Sequence, residues 1–366
     1  IDFGSTAFSG AITYRGGSVS GEGFTGTLNV QGSNVAVSGS FGNGKLSVGA
    51  GNSVVLSGAT TGTLVFAGGS ITGGANLEGT LELGSGQSLV LGTNLDALGA
   101  SATLAVASGA SVNLAGAATS ATIAFSGGTV SGAQNFTGTL AVSGGATLAT
   151  DGTVGGTVNL ASGTTLSGNG TFTGIVNAGA GSILAPGSSP GLTTYGELNL
   201  TGGSTLQLEF FSSQETVAGV GRGYDAIQAT TLNFGTAGEV GGGKITLQLA
   251  TLTNWSDSGN WLGGFGSSPA EGSDLIHAPR EEKSFTIARF SNSDRELLLT
   301  DGMNITSWFA FDTDLYVGTG ATSFQVFSFA DGDNWELTMR AIPEPSTYGL
   351  ILGALALAGA AARRRR

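Results

Sequence analysis

Gly26-Thr27-Leu28-Asn29-Val30, Gly79-Thr80-Leu81-Glu82-Leu83 and Gly138-Thr139-Leu140-Ala141-Val142 are three versions of one pattern. A glycine is followed by threonine, and then apolar residues alternate with polar or small ones. An apolar residue at every second position marks a strand with one face in and one face out. Leu28, Leu81 and Leu140 then point inward, and Asn29, Glu82 and Ala141 point outward. Strands this short, broken by Gly, Ser and Asn turns, cannot bury their apolar face alone. Stacked as coils they can.

The pattern sits inside longer repeats. Tyr14, Phe66 and Phe125 each precede a double glycine: Gly16-Gly17, Gly68-Gly69 and Gly127-Gly128. These openings lie 52 and 59 residues apart and define units 11–62, 63–121 and 122–174. Three short strands plus turns take about 17–20 residues per coil. Each unit is then about three coils, and nine coils at the ~4.8 Å spacing of paired strands make a rod about 40 Å long. The fold read from this pattern is all-β: a β-solenoid of the right-handed parallel β-helix type. A hairpin-built sandwich would show regular Asn-Gly or Asp-Gly turns, and Asp151-Gly152 is nearly alone in the first half.

Composition agrees. The chain has 66 glycines in 366 residues, no cysteine, one histidine and 10% charged residues. An average domain carries about 7% glycine and about 25% charge. Low charge with 40% hydrophobic residues argues against simple disorder. Without cysteine there is no disulfide, thiol nucleophile or thiolate metal site. The net charge of −12 opposes nucleic-acid binding. The chain starts at Ile1, without a start methionine or signal peptide, and is read as a mature form or a fragment.

After Gly174 the texture changes. Ala185-Pro186-Gly187-Ser188-Ser189-Pro190-Gly191 leads into Gly196-Glu197-Leu198-Asn199-Leu200, Thr205-Leu206-Gln207-Leu208-Glu209 and Tyr224-Asp225-Ala226-Ile227. This stretch resembles the autotransporter-associated β-strand repeat, which implies a β-helix passenger with surface or secreted placement and brings no catalytic residues. No long C-terminal barrel follows. Alternation persists at Lys244–Leu249 and Glu296–Thr300. The expected layout is solenoid repeats over 1–174, last coils with a long loop over 175–283, a β-rich cap over 284–340, and a tail over 341–366.

The tail has three parts. Pro343-Glu344-Pro345 is followed by an uncharged run from Ser346 to Ala362 and then by Arg363-Arg364-Arg365-Arg366. Seventeen helical residues would span about 25 Å, slightly short of a bilayer core of roughly 30 Å. The four arginines would hold that end on the cytoplasmic side. The layout resembles the PEP-CTERM sorting signal of Gram-negative bacteria. That resemblance implies a short C-terminal transmembrane helix, transient inner-membrane anchoring and an exosortase-type processing enzyme as partner. It makes Pro343, Glu344, Pro345, Arg363, Arg364, Arg365 and Arg366 the sorting residues. An ordinary C-terminal membrane anchor is the alternative.

Catalytic chemistry is hard to find. Residues 1–174 hold eight charged residues, Asp2, Arg15, Glu22, Lys45, Glu78, Glu82, Asp96 and Asp151, and repeat position predicts no cluster among them. His277 is the sole histidine and has no evident partners. Asp312-X-Asp314 and Asp331-Gly332-Asp333-Asn334 are oxygen-rich, but lack the later bidentate acid of a calcium loop. No catalytic, cofactor or metal residue is assigned. The expectation is a non-enzymatic exported protein: a structural or adhesive rod of the cell surface, outer envelope or matrix. Exopolysaccharide and neighbouring cells are its expected further partners. The alternative is a secreted polysaccharide lyase or hydrolase on the same scaffold, with its site in the loop of residues 254–283 or in further N-terminal coils.

Overall fold

The computed structural model describes residues 1–5, 8–20, 23–187, 191–210, 224–240, 242–251, 283–295, 298–315 and 321–343. They form a β-solenoid of about ten turns. Coils differ in strand content: one runs through Thr139–Val142, Thr147–Ala149 and Thr153–Val154, whereas the coil before it has only Thr122–Phe125 and Thr129–Ser131. Along the body, strands stack in parallel on those of neighbouring coils and give the solenoid three faces.

The first face is one continuous ladder. Ile12, Leu28, Leu46, Leu64, Leu81 and Leu104 stand in register one above the other. Ile123, Leu140, Val158, Val176, Leu198 and Leu232 continue the column. Leu28, Leu81 and Leu140 are buried, as the alternation requires. Successive rungs from Ile12 to Leu198 lie 16 to 23 residues apart. Nine coils separate Ile12 from Val176, matching the coil count read from sequence. The three repeat units are therefore triplets of coils. Tyr14, Phe66 and Phe125 occupy one inward column, three coils apart, and all are buried.

The glycine before each first-face strand has a steric cause. Gly26, Gly79, Gly138 and Gly174 stand at the corner where one coil lies on the next. A Cβ on Gly79 would come 2.1 Å from the carbonyl oxygen of Gly62, and one on Gly174 would overlap that of Gly156. The same carbonyls accept ladder hydrogen bonds; Gly156 O, for example, accepts from Ile175 N at 3.0 Å. The longest coil below Leu198, from Leu81 to Leu104, and the coil after it carry Ala102 and Ala121 at this corner instead.

The second face runs through Leu148, Leu166, Leu184, Leu206, Leu247 and Phe311. On the third, Val154, Phe172, Tyr195, Ala229 and Phe290 align, and the Phe172 and Tyr195 rings stack at 5.5 Å. The inward side chains form one apolar core along the axis.

At the far end the pairing changes direction. Lys283–Asn292 adds in parallel to Ala226–Asn233, and its other edge takes Asn334–Pro343 in antiparallel sense. Asn334–Pro343 in turn pairs with Ala321–Asp331. Covering that edge stops further stacking on this side of the rod. The alternating run at Glu296–Thr300 is not a strand over its described part, 298–300: Leu298 is half exposed and Leu299 is buried. The 254–282 loop and the residues beyond Pro343 lie outside the described residues.

Two substitution pairs test this architecture. Leu81→Asp buries an unpaired charge and should cost several kcal/mol, whereas Glu82→Ser should stay within about 0.5 kcal/mol. Equal midpoints in denaturant for the two would place the strand out of register by one residue. Gly79→Ala should cost on the order of 2 kcal/mol or more through backbone displacement. Gly84→Ala, with open space around its added methyl, should be close to neutral in the same titration.

Candidate functional site

Parallel in-register stacking turns each outward position into a rank. On the first face, Thr63, Thr80, Thr103, Thr122, Thr139 and Thr157 occupy consecutive rungs. All six are half-buried. Two residues further along the strands, Ala105, Ala124 and Ala141 form a small-residue rank. A shallow groove of about 400 Å³ lies over Ala105, Ala107 and Ala124, with Glu82, Ser108 and Ser126 at its margins.

Beyond Ala141 the same rank becomes an asparagine ladder. Asn177 Nδ2 donates to Asn159 Oδ1 at 2.7 Å, Asn199 Nδ2 to Asn177 Oδ1 at 2.8 Å, and Asn233 Nδ2 to Asn199 Oδ1 at 2.7 Å. Asn233 Oδ1 accepts from the backbone N–H of Asp294 at 2.8 Å and so ends the ladder on the terminal turn. Sequence reasoning did not single out these asparagines. Their signal was present: each follows an inward Val or Leu, and their spacings equal the local coil lengths.

Several carboxylates of the solenoid hold irregular backbone in place. Asp96 accepts from the N–H groups of Gly73 and Gly74 at 2.7 and 2.9 Å. Asp151 accepts from Asn169 N at 2.9 Å. Asp294 accepts from Phe234 N and Gly235 N, both at 2.9 Å. Lys45 and Glu82, two coils apart, form an ion pair at 2.6 Å. Both are substantially exposed, and such a pair is worth less than about 1 kcal/mol.

Asp225 is the buried member of this group, at 1% exposure. Its Oδ1 accepts from Gly191 N at 2.6 Å and its Oδ2 from Glu209 N at 2.8 Å. It thereby ties Gly191 to the strand Thr205–Phe210. Gly187 is obligatory there: its φ is +93°, and a Cβ would come 2.8 Å from Asp225 Oδ1. Burial pushes the Asp225 carboxyl well above the usual carboxylate range, and the nearby Glu209 adds to this. The two N–H donors oppose it.

The oxygen-rich segments are also explained locally. Asp312 accepts from Gln248 Nε2 at 2.8 Å and from Asp314 N at 3.1 Å, which lowers its pKa. Asp331–Asn334 is the tight turn between the last two strands, with Gly332 at φ +60°. Among the described residues no three His, Asp or Glu side chains are grouped to hold a metal. His277, Glu344, Pro345 and Arg363–Arg366 lie outside the described residues, and Pro343 is the last residue of the strand Asn334–Pro343. No helix of the described residues is long and apolar enough to cross a membrane.

Removing the Asp225 carboxylate by Asp225→Ala leaves two inward N–H groups without acceptors and should cost about 2 kcal/mol or more. The pH dependence has a definite sign. A folded pKa raised above the ordinary 3.8 means that this group's contribution to stability is fully present in acid and is lost as pH rises through the folded value. Asp225→Asn should flatten that fall in thermal melts taken from about pH 4 to pH 8; an unchanged slope would remove Asp225 as its source.

No curated protein matches this chain. Residues 341–366 match the family model described as the PEP-CTERM protein-sorting motif. The chain thus carries, behind a β-solenoid, the address of an exported protein that an exosortase sorts.

Proposed function

We propose that this chain is a non-enzymatic structural or adhesive rod of the cell surface or extracellular matrix, delivered there by its C-terminal signal. The observation that carries the proposal is the pairing of the sorting motif with a solenoid whose outward columns hold long neutral runs, Thr63 to Thr157 in one and Asn159 to Asn233 in another. Ranks repeated at ~4.8 Å offer many equivalent weak hydrogen bonds. Binding through repetition suits a polymer better than a small substrate. Asp96, Asp151, Asp225 and Asp294 each accept from backbone N–H groups, which suits a structural role for these carboxylates.

In this reading the tail acts in three steps. Pro343-Glu344-Pro345 marks the motif for the processing enzyme. The apolar run from Ser346 holds the chain transiently in the inner membrane. Arg363, Arg364, Arg365 and Arg366 fix its orientation. Exopolysaccharide or the surface of neighbouring cells is the final partner.

Deleting residues 344–366, or changing the four arginines to glutamate, should leave the protein unprocessed and mislocalised. Surface labelling and mass of the exported form measure this, and unchanged values would sink the sorting role. Purified chain should retard on gels containing acidic or neutral polysaccharide, with weak affinity that rises on clustering. It should release neither reducing ends nor unsaturated products. Turnover that vanishes on mutating a carboxylate within residues 254–340 would replace the rod by the enzyme reading.

A further inference from the structure

The strand Asn334–Pro343 and the sorting motif at 341–366 share their residues 341, 342 and 343. Ala341 faces Phe324 on one side and Lys283 on the other, Ile342 faces Ser323, and Pro343 faces Ala321. The motif therefore begins inside the sheet that closes the solenoid. Only Glu344 and Pro345 separate this strand from the apolar run starting at Ser346. Three peptide steps from Pro343 to Ser346 reach at most about 11 Å. Peptide recognition commonly uses an extended segment whose backbone groups are free to pair with the receptor. Residues 341–343 are already registered against 321–324 within the fold, and Ala341 against Lys283 as well.

The pairing is weakest where the motif starts. The ladder slips between Ala321 and Ser323, and such a bulge leaves a residue unpaired. Pro343 has no N–H to donate. Nearer the body the strand is secured. Leu337 and Met339 are buried in the core, and Glu336 pairs with Arg289 at 2.7 Å. Opening from the chain end thus meets little resistance up to Ala341 and much from Met339 inward.

We propose that residues 341–343 act as a latch: they unpair from 321–324 before an exosortase-type enzyme takes the motif, so local opening of the terminal hairpin sets the rate of processing. The inference rests on the sorting reading above. It adds that a folded cap holds back the start of its own signal.

The test is a pulse-chase of the full chain in an exporting Gram-negative host with an exosortase, read as shortening of the labelled precursor. One variant carries a ~8-residue Gly/Ser linker between Arg340 and Ala341, which keeps 341–366 intact but moves it off the hairpin. A second combines Ser323→Cys with Ile342→Cys. The chain has no other cysteine, so the staple forms between these two alone. The linker should speed processing about tenfold or more, and the staple should slow it by a similar factor until reductant is added. Rates unchanged by linker and staple, while arginine-to-glutamate tails still block processing, would overturn the latch and leave the sorting role standing. Absence of shortening in every form, the linker variant included, would overturn the sorting reading and the latch with it.

Discussion

Close stacking of backbone on backbone governs this protein. Each coil lies at sheet-pairing distance from the next along the rod, and the corners must meet as closely as the strands do. At the corner before the first face, a single methyl group on Gly79 or Gly138 would sit about 2 Å from the carbonyl of the coil beneath. Glycine there lets the chain turn and still leaves that carbonyl free to accept the next ladder bond. The repeated Gly-Thr-Leu sequence follows directly: glycine for the corner, threonine outside, leucine in the core.

The same stacking explains the scarcity of charge. In a parallel in-register ladder each outward residue faces the equivalent residue of its neighbours. A charged rank would set like charges against each other, which is destabilising. Threonine and asparagine avoid this, and asparagine gains a hydrogen bond from its own ladder, as Asn159 to Asn233 show. Among the acids, Asp96, Asp225 and Asp294 satisfy backbone N–H groups that the irregular segments leave over. A surface of neutral ranks supports the proposed role in repetitive, weak contact better than a role in catalysis.

The terminal hairpin serves both structure and sorting. It covers the last parallel edge through Asn334–Pro343, and the sorting motif begins on that strand. Closure of the rod and presentation of the signal are thus mechanically connected. A solenoid that ended in a flexible linker would separate the two.

The sequence by itself determined the solenoid class, the nine coils of the repeat region, the inward register of Leu28, Leu81 and Leu140, and the sorting tail. All of these are local: period-two alternation, a corner glycine and an ordered terminal motif can be read within a few tens of residues. Only the tertiary structure decided which residues meet between coils. The asparagine ladder joins positions 18 to 34 residues apart, and Asp225 reaches back 34 residues to Gly191. Coil lengths vary from rung to rung, so sequence spacing alone does not align such partners; the hydrogen-bonded ladder does. The antiparallel closure was likewise hidden, because alternation specifies a strand and its buried side but not the direction of its neighbour.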